Sequence, residues 1–136
     1  MKLSEAIRLG AMLKPQTRGA FFYNGGTCAS GAALDAVGRL NVDDPSSCKN
    51  NYIFRELFPI AAKLDRCPVC EWRNSASTII ERGIWHMNDI HEWTREQIAD
   101  WVESIERAHD PVIETEQKVA MEQAVPIRSE AQKCIS

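Results

Sequence analysis

Residues 24–38 read NGGTCASGAALDAVG, and the fold turns on how this run of small side chains is used. A cysteine that follows two glycines and opens a helix has two uses. It can present a thiolate where free N–H groups and the helix dipole favour the anion, or it can keep the surface small enough for another helix to cross closely. A cysteine nucleophile needs a positioned base, and the histidines, His86, His91 and His109, stand in no recognisable catalytic signature. The close-packing reading therefore leads, with the helix starting from Thr27 and Gly38 placed to end it. Ala29, Ala33, Ala36, Val37 and Leu40 then share one side. A thiol-dependent enzyme centred on Cys28 is the alternative.

On either side of this stretch the pattern is helical. Leu3, Ile7, Met12 and Leu13 share a broad face over residues 4–13, with Ser4 able to cap and Pro15 closing. AFFYN (20–24) reads as one short strand entering a turn, with no convincing partner strand nearby. Residues 41–50 have loop composition, and NYIFRELF and PIAAKLD form two short helical pieces divided at Pro59. Residues 76–87 place Ala76, Ile79, Ile80, Gly83, Ile84 and Met87 at amphipathic spacing. Thr94 and Gln97 then form a capping box, and Trp93 and Ile98 a hydrophobic staple, opening a helix that buries Ile98, Trp101, Val102 and Ile105. His109-Asp110-Pro111 stops it. The expected architecture is mainly α: a compact small helical domain over residues 1–110 with one short β element and a Cys-x2-Cys loop, then an accessory tail over 111–136.

Two of these stretches, GGTCASGAALDAVG and IWHMNDIHEWTREQIADWVESIERA, resemble a group of small uncharacterised bacterial and phage-type domains. These pair a Cys-Ala-x-Gly-Ala helix start with a later Asn-Asp, a capping Thr and an amphipathic helix. The matching positions are Cys28, Ala29, Gly31, Ala32, Asn88, Asp89, Thr94 and Ile98. The resemblance implies a compact helical domain whose two motif helices pack together, and it supplies no reaction.

Composition narrows the function classes. A chain of 136 residues suits one core. An apolar fraction of 44% with no long apolar run points away from a membrane. Glu5 and Arg8 interrupt the apolar stretch that an export signal requires. Five cysteines are an odd number with one close pair, so a disulfide framework is not expected and a reducing cytoplasm fits. Residues 1–109 carry 13 basic and 14 acidic side chains without a basic stripe, which disfavours nucleic acid. WTREQIADW invites comparison with the start of a helix-turn-helix, but no basic recognition helix follows.

The most informative motif is Cys67-Pro-Val-Cys70. Two thiolates in a tight turn hold one edge of a tetrahedral zinc site. Fifteen residues then separate Cys70 from His86, and four separate His86 from His91, a C-x2-C…H-x4-H order. Cys48 is a substitute for either histidine, and a thiol pair or a disulfide is the alternative to structural zinc. Four tryptophans fall between residues 72 and 101, and Trp85 points off the apolar face of its helix as a candidate interface anchor. In the tail, Val112, Ile113 and Met121 are isolated anchors of the kind a segment lays into a groove. The sequence reading is thus a non-catalytic interaction or regulatory module, of phage-type accessory character. It would contact a protein partner or a second copy of itself. The Cys28 enzyme and a zinc-containing nucleic-acid binder are the competing classes.

Overall fold

The computed structural model describes residues 1–44, 47–70 and 78–109. They belong to a compact unit, Met1–Glu103, and to a second unit that begins at Ser104. The tail over 111–136, including Val112, Ile113 and Met121, lies outside the described residues. The described chain is mainly helical, with five α-helices: α1 (Leu3–Ala11), α2 (Ala29–Ala36), α3 (Cys48–Leu57), α4 (Ile80–Asp89) and α5 (Arg95–Ala108). Among the described residues, no helix is long and apolar enough to cross a membrane.

Small residues in α2 serve close packing. A Cβ on Gly10 of α1 would collide with the Ala32 carbonyl of α2, and one on Gly31 would collide with the Phe21 carbonyl. Ala29, Ala32, Ala33 and Leu34 are fully buried, in company with Leu3, Ala6 and Ile7 from α1. Met12 and Leu13, expected on that buried face, are instead 81% and 59% exposed, because α1 ends at Ala11. Ser4 does not cap α1 either; Lys2 holds the N-cap position without a side-chain bond.

The stretch before α2 corrects the sequence reading. AFFYN does have a partner: β1 (Phe22–Tyr23) pairs antiparallel with β2 (Gly26–Thr27) through Phe22↔Thr27 and Tyr23↔Gly26. The two-residue loop Asn24-Gly25 has φ of 50° and 77°, the doubly left-handed backbone of a type I′ hairpin turn, which Asn-Gly favours. Thr27 is then held from its other side, where its N–H donates to Pro15 O at 2.9 Å and its O accepts from Thr17 N at 2.9 Å.

Two helix starts also differ from expectation. α3 begins at Cys48 inside the expected loop because Asn50, 1% exposed, turns inward. Its amide exchanges two bonds with the Asn41 backbone at 2.9 Å each, and its N–H donates to Asp44 Oδ2 at 2.9 Å. A 3-10 turn, Pro59–Ala62, follows. α4 starts at Ile80 because Thr78–Ile79, β-branched residues suited to extended backbone, form β4 against β3 (Leu64–Asp65). Phe21, Phe54 and Phe58 make an aromatic cluster beneath, with successive centroids 6.3 and 5.5 Å apart.

Asn88, fully buried at the end of α4, joins the two motif stretches. Its Oδ1 accepts from Gln16 Nε2 at 2.9 Å and from Ala29 N at 3.2 Å, so it satisfies a free donor of α2's first turn. Its Nδ2 donates to Thr17 O at 2.9 Å and to Asp89 Oδ1 at 2.8 Å. Asp89 in turn accepts from Gly19 N at 3.0 Å.

The expected capping box opens α5: Gln97 N donates to Thr94 Oγ1 at 3.1 Å, and Thr94 N to Gln97 Oε1 at 2.9 Å. Arg95, 8% exposed, donates to Thr27 Oγ1 at 2.9 Å and to Lys14 O at 2.7 Å. Its pKa is lowered by burial. Trp101 reaches Gly83, where a Cβ would lie 2.8 Å from its Cη2. Arg8 spans Glu96, Asp100 and Glu103 on α5 at 2.6–3.3 Å.

Candidate metal centre

The β3–β4 pairing closes a loop that carries both cysteines of the Cys-x2-Cys motif and returns the chain to α4. Within that loop the Cys67 sulfur accepts from two backbone donors, Val69 N at 3.4 Å and Cys70 N at 3.1 Å.

The imidazoles arrive from α4 and the turn after it. His86 lies in the last turn of α4. The helix then winds past its end, with Ile90 N and His91 N both donating to His86 O at 2.9 and 3.2 Å. Glu92 follows in left-handed backbone at φ 54°, and Trp93 N returns to Met87 O at 3.0 Å. This winding sets the His91 ring against the His86 ring, edge to face, with centroids 4.6 Å apart.

Both rings present Nε2 to the Cys70 sulfur, His86 at 3.4 Å and His91 at 2.8 Å. The four donor atoms, from Cys67, Cys70, His86 and His91, all lie within 4.8 Å of one another. A tetrahedral Zn²⁺ with its usual Zn–S and Zn–N lengths would separate its donors by about 3.3–3.8 Å. Closing the observed group on an ion therefore needs shifts of about 1 Å at most. The His86 donor also suits a metal in protonation state. Burial first, and the charge of His91 second, lower the His86 pKa, which favours the neutral imidazole that ligates metal. No disulfide joins Cys67 and Cys70.

Cys48, the substitute ligand expected from sequence, is not in this group. It is the exposed first residue of α3. Trp85 is 55% exposed on α4, one residue before His86.

Cys28 has a different environment. It is the N-cap of α2, and its sulfur accepts from Gly31 N at 3.3 Å. Burial pushes its thiol up to about 11, against the opposing backbone bonds from Gly31 and Ser30. Desolvation here outweighs the helix terminus, so the thiol stays protonated at neutral pH.

A concave site that the sequence reading missed lies beside Cys28 and Trp85, with Ser30, Arg55, Glu81 and Arg82 among its lining. Its side chains come from α2, α3 and α4, and no local motif announces such a meeting. No family model, curated protein or solved structure matches the chain.

Proposed function

We propose that this chain is a non-catalytic binding module whose Cys67, Cys70, His86 and His91 hold one structural zinc ion. The observation that carries the reading is the convergence of two sulfurs and two imidazole nitrogens within 4.8 Å. Two thiolates balance the charge of Zn²⁺, and four protein donors fill a tetrahedral shell, leaving no open position for a substrate or an activated water. That is the donor arrangement of a structural site. The ion would tie the 66–70 loop to α4 and to the turn that follows it, three segments whose mutual closure is otherwise weakly secured by a two-residue strand pairing. Metal binding of this kind contributes directly to folding.

The non-catalytic part rests on Cys28 as well. Its thiol is buried and protonated, and it serves α2 as a cap. Half-exposed Trp85 supports a binding role, because large aromatics at a surface are common anchors of interfaces. The proposed partner is another protein or a second copy, with Val112, Ile113 and Met121 of the tail as further anchors. The phage-type accessory character suggested by the motif resemblance belongs to the same proposal.

Cobalt substitution tests the centre. Co²⁺ added to metal-free protein is expected to give the intense visible bands of a tetrahedral site together with a thiolate-to-metal charge-transfer band, titrating at one ion per chain. Cys67→Ser/Cys70→Ser should abolish the charge-transfer intensity, and Cys70→Ser alone should reduce it. A pale octahedral spectrum without sulfur bands would refute the assignment.

A further inference from the structure

Beside α2's first turn lies an open cavity of about 390 Å³, within the size range of small-ligand sites. We propose that it binds an aromatic group carrying a phosphate or carboxylate. This inference deepens the binding-module reading and does not depend on the zinc.

The cavity has an apolar side and a cationic side. Phe21 and Trp85 line it, and Trp85 leaves 55% of its surface open, which offers a face for a planar ring. Ser30, only 5% exposed, also lines the cavity and places a hydroxyl where a ligand oxygen could bond it.

The charges select the ligand. Arg55 donates Nε to Glu81 Oε2 at 2.6 Å. That bond occupies the carboxylate and orients the guanidinium, leaving the two terminal nitrogens of the fork without a partner among the described residues. Arg82, also lining the cavity, makes no ion pair among the described residues. Glu81 is thus balanced by Arg55, Cys28 is neutral, and Arg82 leaves a surplus of one positive charge. A forked guanidinium matches phosphate or carboxylate oxygens. α2's own N–H groups are not the receptor, since Ala29 N is given to Asn88 and Gly31 N to Cys28.

Phenyl phosphate is the probe, titrated into the full-length protein and followed by the amide shifts of Ser30 and Gly31 and the indole shift of Trp85. Saturable one-to-one binding is expected. Benzyl alcohol, which keeps the ring and lacks the charge, should produce no saturation, and inorganic phosphate should bind at least tenfold more weakly. Ser30→Ala and Arg82→Gln should each weaken phenyl phosphate at least fivefold without changing metal content or thermal midpoint. An Ala-phosphotyrosine-Ala peptide separates the two sources of such a group. Equal or tighter binding marks a protein side chain, and much weaker binding marks a free small molecule. Protein that takes up no zinc on addition yet still binds phenyl phosphate would end the zinc reading and leave this one standing. Shifts that fail to saturate, or that saturate identically in both variants, would overturn the proposal.

Discussion

Asn88→Ala is the most searching perturbation of the fold, because one side chain holds both motif stretches. The substitution removes four hydrogen bonds from a residue with no solvent exposure. The Ala29 N–H is left fully buried without an acceptor, at about 1–3 kcal/mol for an orphaned group. Thr17 O and Gln16 Nε2 lie in half-buried surroundings where water offers partial replacement, so about 1 kcal/mol each is the corresponding loss. The sum is about 3–5 kcal/mol, a large share of the roughly 5–15 kcal/mol by which domains are stable. Urea unfolding of wild type and variant gives the difference directly, and Gln16→Ala, which deletes one of the four bonds together with the Gln16 Nε2 bond to Trp93 O, should lose no more than about 2 kcal/mol. A double-mutant cycle between the two positions should then show positive coupling. An Asn88→Ala protein within about 1 kcal/mol of wild type would refute the claim that this amide organises the start of α2.

Other outcomes follow from named contacts. Gly10→Ala drives a methyl into the Ala32 carbonyl, and overpacking of that kind should cost about 1–3 kcal/mol or more, read as a lower urea midpoint. Thr94→Ala removes the hydroxyl that accepts from Gln97 N and should cost about 1 kcal/mol; an unchanged midpoint would mean that α5 gains nothing from its cap. The Cys28 thiol is raised from 9.0 to about 11 by burial, so its contribution to stability is complete below pH 9 and lost as pH rises through 11. Urea midpoints measured from pH 8 to 11 should fall more steeply in wild type than in Cys28→Ser. At neutral pH, iodoacetamide should modify exposed Cys48 well before Cys28, and peptide mapping of the alkylated protein checks the order.

The parts of the fold that sequence revealed are those written in local pattern. Thr94 and Gln97 sit three apart and found each other as a capping box. Gly31 of α2 does meet the Phe21 carbonyl, and the Ala32 carbonyl of α2 meets Gly10 of α1. The C-x2-C…H-x4-H spacing pointed to four side chains that the structure brings together, although it could not choose between His91 and Cys48. That choice depends on the winding beyond α4, and a left-handed Glu92 leaves little trace in sequence. The hairpin was legible but missed. Asn24-Gly25 is a strong two-residue turn signal, and only the shortness of its strands hid it. Asn88 as a hub, and Ser30, Arg55 and Arg82 around one cavity, required long-range packing. Three of the four partners of the Asn88 side chain lie 59 to 72 residues away in the chain, beyond the reach of periodicity.

The most direct test of the central claim is metal content. Protein purified without chelator should carry one zinc per chain by plasma mass spectrometry. The Cys67→Ser/Cys70→Ser and His91→Ala proteins should lose it and melt lower, while Cys48→Ser should keep both its zinc and its melting temperature. Wild-type protein that is metal-free as purified, takes up no zinc on addition and melts at the same temperature as the double-serine variant would contradict the account.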